Sequence, residues 1–167
     1  PFTGTYNGWD NNTSSCSQSY ALIGREPTGA GPFPVFIYVP GTFQPYNGSE
    51  AVLFITEMAN RGFVAPSVNY LNLPFFCPDL LHRGGCIFDA TRADSAVATV
   101  CSRPKADCSK GIVVSGLSQG AMISTLAKNF DSRVQAAYTL ANGNNILGAN
   151  YASCMNPSQR QLPSNAL

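Results

Sequence analysis

An apolar, β-rich run, Gly111–Ser115, passes directly into Gly116-Leu117-Ser118-Gln119-Gly120, and a stretch of helical character begins at Gln119. A serine between two glycines at a strand-to-helix junction implies a sharp turn. Its central residue is pushed into a strained φ/ψ, and the flanking glycines remove Cβ atoms that would clash. Such a turn lifts the Ser118 hydroxyl above the carboxyl edge of a sheet, where it can act as an attacking group. At about 7% glycine usage, a bare Gly-x-Ser-x-Gly match arises by chance in roughly one chain in ten of this size. The weight of the reading therefore rests on the strand before Ser118 and the helix after it.

The 167 residues suit one domain with its own core. Apolar residues make up 44% of the chain, charged residues only 11%, and the net charge is +1. That balance offers no basic stripe for nucleic acid and no acidic field to steer cations. The longest uninterrupted apolar runs, such as Val35–Val39 and Ala51–Ile55, fall far short of the roughly 20 residues that span a bilayer. A soluble protein with no transmembrane segment is expected.

Six cysteines (Cys16, Cys77, Cys86, Cys101, Cys108, Cys154) occur with no CxxC pair and a single histidine, His82. Disulfides are a better expectation than a zinc site, and no metal or organic cofactor is implied. Glycosylation acceptors occur at Asn11, Asn12 and Asn47, whereas Asn156 is blocked by Pro157. With a chain that begins at Pro1, these features point to a secreted, processed glycoprotein. Among the many formal connectivities, the expectation is that near neighbours pair, Cys77 with Cys86 and Cys101 with Cys108. Cys16 is then left for Cys154.

Residues 1–34 read as a polar N-terminal arm with a short edge strand at Tyr20–Ile23, and residues 35–167 as a single, incomplete α/β core. Val35–Val39, Phe63–Tyr70, Gly111–Ser115 and Val134–Leu140 read as strands. Helices are expected from Glu50 to Arg61, ending at Gly62; from Asp89 onward with Ala93, Ala96, Val97 and Val100 inward; and over Gln119–Asn129. Leu71–Phe88 reads as an irregular loop holding Cys77, His82 and Cys86. From residue 141 the chain is polar and turn-rich. Alternating strands and helices give a mainly parallel sheet with flanking helices and right-handed crossovers. Ligands then bind beyond the carboxyl ends of the strands, where Thr42, Ser118 and the loop after Tyr70 converge.

The segment Val39-Pro40-Gly41-Thr42-Phe43 directly follows the first buried strand, and Met58-Ala59-Asn60-Arg61-Gly62-Phe63-Val64 links the first helix to the next strand. Together with the Ser118 turn, these segments make residues 35–140 resemble α/β-hydrolases of the dienelactone-hydrolase-like group, which includes secreted esterases that cleave lipids and polyesters. The resemblance implies an α/β-hydrolase fold with Ser118 as the nucleophile. Its oxyanion hole would be built from the backbone N–H groups of Thr42 and Gln119. It also implies a catalytic acid and a histidine after the family's seventh and eighth strands, and no histidine follows Ser118 here. The expectation is that both come from a missing C-terminal part, in a longer chain or in a second polypeptide of the same precursor. A short, inactive relative is the remaining reading, but a sheet ending at the sixth strand would expose a long unpaired edge.

His82 is the fallback base, though a loop histidine between two cysteines is more often structural. Asp79, Asp89 and Asp94 read better as turn or cap residues than as a triad acid. Phe43, Phe75 and Phe76 are candidates for an acyl pocket, and a glycan on Asn47 would stand near its mouth. The expected activity is that of a secreted carboxylic ester hydrolase acting on a small-molecule, lipid or polymer ester. Acyl transfer to another acceptor shares the same chemistry. The alternative is a catalytically inactive hydrolase-like module, structural or binding, in an extracellular assembly.

Overall fold

The computed structural model describes residues 1–73 and 78–141 and the short strands 145–146 and 149–150, with the side chains of residues 78–79 and of the two short strands left out. Six strands form one sheet: β1 (Phe2–Asp10), β2 (Ser15–Arg25), β3 (Val35–Val39), β4 (Ala65–Val68), β5 (Ile112–Leu117) and β6 (Val134–Leu140). Their spatial order is β1-β2-β4-β3-β5-β6. From β4 to β6 all neighbours are parallel, while β1 and β2 form an antiparallel hairpin on the β4 side. β7 (Asn145–Ile146) and β8 (Ala149–Asn150) make a separate two-stranded pair.

β3 shows why an unbroken apolar run marks a central strand. All five of its residues are buried, with Val35, Ile37 and Val39 on one face and Phe36 and Tyr38 on the other. The first face carries the larger core, which includes Leu80, Ile87, Val97, Val100, Met122, Ile123 and Leu126 from α2 (Pro78–Phe88), α3 (Ala96–Cys101) and α4 (Gln119–Leu126). The second is covered by α1 (Ser49–Asn60), whose Ala51, Ile55 and Ala59 are buried.

The fold corrects four expectations. The residues read as a polar arm with a short edge strand at Tyr20–Ile23 form a long hairpin, β1 and β2, that continues the main sheet with β1 at its edge and Tyr6, Tyr20 and Leu22 turned into the core. Residues 78–88, read as part of the irregular loop Leu71–Phe88, form α2. The two glycines let the Phe130 ring lie against that helix, since a Cβ on either would stand 3.2–3.3 Å from it. The helix after Asp89 begins only at Ala96, capped by Ser95, and Asp89 instead holds a turn by accepting from the Thr91 N–H and hydroxyl.

The fourth correction concerns the disulfides. Cys101–Cys108 forms as expected, but Cys16 pairs with Cys86, which rules out both Cys77–Cys86 and Cys16–Cys154. Pairing by nearness in sequence fails because α2 lies against the β1–β2 hairpin and brings the Cys86 Cα to 5.5 Å from that of Cys16. Cys77 and Cys154 fall outside the described residues. The Cys16–Cys86 link closes a loop of 70 residues, so chain entropy predicts that replacing both by serine costs up to about 4 kcal/mol of stability, read from urea unfolding.

Candidate active site

The carboxyl ends of β3 and β5 lie side by side, with Val39 opposite Gly116. Beyond Leu117 the chain reverses into α4 through Ser118, whose φ of 52° and ψ of −115° place a non-glycine residue in a region that L side chains rarely occupy. Strain of this kind costs on the order of 1–3 kcal/mol and persists only where the surroundings enforce it. Here both sides of the turn are held. The Ser118 N–H donates to the Leu140 carbonyl at the end of β6 (2.9 Å), and the Ser118 carbonyl accepts from Met122 in the first turn of α4.

Close packing explains the two glycines. A Cβ at Gly120 would overlap the Val39 carbonyl oxygen and stand 2.5 Å from that of Pro40, and one at Gly116 would overlap the backbone of Gly120. The start of α4 is thus pressed against the end of β3, which is what brings the Pro40–Gln44 loop beside the serine. Gly41 touches both: a Cβ there would lie 2.9 Å from the Leu117 carbonyl oxygen and 3.4 Å from the Ser118 Cβ.

Thr42 and Phe43 form the tip of a turn closed by the Gln44 N–H donating to the Gly41 carbonyl (3.1 Å). Among the described residues nothing accepts from the N–H of Thr42 or of Gln119. The loop itself is firmly tethered. Tyr70 Oη donates to the Pro40 carbonyl (2.8 Å), and Asn72 Nδ2 donates to the carbonyls of Gly41 and Gln44 (3.1 Å each). Burial above all holds the Tyr70 phenol well above its ordinary pKa, so it remains a donor at any working pH. Neither tyrosine nor asparagine carries a sequence signal for this role; their place after β4 decides it.

An open cleft runs beside this loop, lined by Phe43, Pro45, Tyr46, Asn69, Asn72 and Leu73 among others. Phe43 is 79% exposed and sits at a φ of 64°. Neither burial of its ring nor its backbone preference accounts for that position. Asn47 is on the cleft's border, while Asn11 and Asn12 are exposed at the far tip of the β1–β2 hairpin. Phe75 and Phe76 lie outside the described residues.

The structure does not bring His82 to Ser118. Its ring stacks on Trp9 of β1, with centroids 4.5 Å apart and planes 10° from parallel. β1 stands four positions from β5 in the sheet, which at about 4.8 Å per strand is on the order of 19 Å. Asp94 accepts from Asn7 and pairs with Arg92, a structural role at the hairpin. The Gln119 side chain is fully buried beside the turn, and its carboxamide has no partner among the described residues.

A mainly parallel sheet with helices on both faces and a strained serine at the strand-to-helix turn define the α/β-hydrolase fold. Solved structures of that fold align with this chain. Esterase Est22 matches with a TM-score of 0.59 at 16% identity, over 83% of this chain and 43% of that one. Brefeldin A esterase, a bacterial homologue of human hormone-sensitive lipase, matches at 0.56 and 20%, over 82% and 38%. A dienelactone hydrolase of Klebsiella pneumoniae matches at 0.53 and 19%, over 89% and 64%. The chain therefore spans less than two thirds of each of these proteins. No protein-family model and no curated protein sequence matches it.

Proposed function

We propose that this chain is the nucleophile-bearing part of a secreted serine esterase. The observation that carries the reading is the strained Ser118 turn packed against a loop whose Thr42 N–H, like that of Gln119, has no acceptor among the described residues. Ser118 Oγ attacks the carbonyl carbon of a carboxylic ester, and the two N–H groups hold the oxyanion that forms. Collapse of the tetrahedral intermediate expels the alcohol, and water then hydrolyses the acyl-enzyme. Structural likeness to esterases supports this choice of reaction. The cysteine pairing and the sequons support passage through an oxidising, glycosylating compartment; no helix among the described residues is long and apolar enough to cross a membrane.

Ser118 needs a base to take its proton, and the only histidine in the sequence is held on Trp9. The catalytic imidazole and its acid are therefore assigned to a further segment or partner chain that docks at this end of the sheet. The test is labelling of the native material with a fluorophosphonate probe, with intact mass measured before and after reduction. Covalent modification at Ser118 supports the esterase. No labelling would instead favour a non-catalytic module.

The cleft beside Thr42 carries no charged lining residue among those named and presents Phe43, Pro45, Tyr46 and Leu73. It suits an uncharged ester with an apolar or aromatic group. Burying an aromatic ring is worth about 1.5–3 kcal/mol. Phe43→Ala is therefore expected to raise KM for aryl or long-chain esters by about tenfold while barely changing it for acetates. Its melting temperature should stay close to wild type, since the ring is 79% exposed. An equal loss on acetates would remove Phe43 from substrate recognition.

A further inference from the structure

The Gly41–Gln44 turn is held by a chain of hydrogen bonds that ends on the first turn of α1. Gly41 N–H donates to Gln44 Oε1 (2.7 Å), Gln44 Nε2 donates to Glu50 Oε2 (2.9 Å), and Tyr38 Oη donates to Glu50 Oε1 (2.8 Å). Tyr38 is fully buried on β3 and stacked on Phe54 of α1, so the hydroxyl that meets Glu50 is fixed by the core. Burial and the neighbouring Glu50 carboxylate raise its pKa well above that of a free phenol, and it stays a donor.

We propose that Gln44 and Glu50 are a pair of positioning residues that fix the Pro40–Gly41 peptide, and through it orient the adjoining peptide whose Thr42 N–H faces the oxyanion. The role rests on the esterase reading of Ser118. Its logic lies in donor and acceptor polarity. An ionised carboxylate only accepts, so Glu50 takes the NH2 end of the Gln44 carboxamide and leaves the oxygen facing Gly41. Were the amide reversed, its NH2 would confront the Gly41 N–H, donor against donor, and the turn would lose its inner tether. Glu50 never touches substrate. It acts through Gln44 on a backbone donor whose placement matters most in the transition state, where negative charge develops on the carbonyl oxygen.

A reciprocal exchange tests this in the native protein. Gln44→Glu sets two carboxylates against each other and should lower kcat for a p-nitrophenyl ester by about 10- to 100-fold with little change in KM, as expected when an interaction is made only in the transition state. The double variant Gln44→Glu/Glu50→Gln restores every bond. The new carboxylate at 44 accepts from Gly41 N–H and from the carboxamide NH2 at 50, whose oxygen still accepts from Tyr38. It should recover kcat to within about threefold of wild type. Rates of fluorophosphonate labelling at Ser118 should follow the same order.

A Gln44→Glu variant with unchanged kcat overturns the proposal. So does a folded double variant that stays as slow as the single one, or a loss of activity that merely tracks the melting temperature through the series. Wild-type protein that hydrolyses no ester and takes no label at Ser118 removes the esterase reading and the positioning role with it. Normal wild-type labelling with a Gln44→Glu rate equal to it removes the positioning role alone.

Discussion

Ser118→Ala is expected to abolish ester hydrolysis, lowering kcat by at least about 1000-fold, and to eliminate fluorophosphonate labelling while leaving the fold intact. Removal of the nucleophile leaves only what oriented backbone donors and substrate binding contribute, a small residue of the total in serine hydrolases. The structural cost should be slight. The side chain of Ser118 makes no hydrogen bond among the described residues, and the strained backbone is enforced by the bonds to Leu140 and Met122, which an alanine keeps. A melting temperature within a few degrees of wild type is the companion result. The neighbouring Ser115 and Ser124 are buried and cannot substitute. Hydrolysis that survives Ser118→Ala in a folded protein would move the chemistry elsewhere and leave the turn without a catalytic role.

Gly120→Ala should act on stability instead, with a loss of at least about 3 kcal/mol and a fall in melting temperature of about 10 °C. The added methyl overlaps the Val39 carbonyl oxygen, which is backbone of a strand buried at all five residues and cannot rotate aside. The only relief is for α4 to slide away from β3. That movement breaks the packing of Met122 and Ile123, both fully buried in the main core, and separates Ser118 from the Thr42 loop. Activity should therefore fall together with the thermal midpoint. A variant as stable as wild type would mean that α4 does not approach β3 so closely, and the proposed oxyanion geometry would fall with it.

Much of the parallel half of the sheet was legible from local pattern. Val35–Val39 and Val134–Leu140 appear with the boundaries read from their apolar runs, and α1 begins and ends within a residue of its expected span. These signals survive because each element buries a face defined by its own periodicity. Of the β1–β2 hairpin only Tyr20–Ile23 was legible as strand, because the inward Tyr6 and the residues before Tyr20 are diluted by exposed serines, threonines and asparagines. α2 escaped because Gly84 and Gly85 weaken its local helical signal, whereas the Phe130 ring that packs on them is distant in the chain.

By itself the sequence determined the strand–Ser118–helix turn, the succession of strands and helices that follows from it, and the Thr42 segment as its companion. Each element depends on residues close together in the chain, and the pairing of Thr42 with Ser118 on the strand order and the family resemblance they imply. Tertiary structure alone decided which distant groups meet. It joined Cys16 to Cys86, parked His82 on Trp9, and set Tyr70 and Asn72 under the Pro40–Gln44 loop. The physical reason is that spacing along the chain records what one element can bury. Partners across the sheet are chosen by strand order and by the facing of helices, and no short stretch of sequence carries that information.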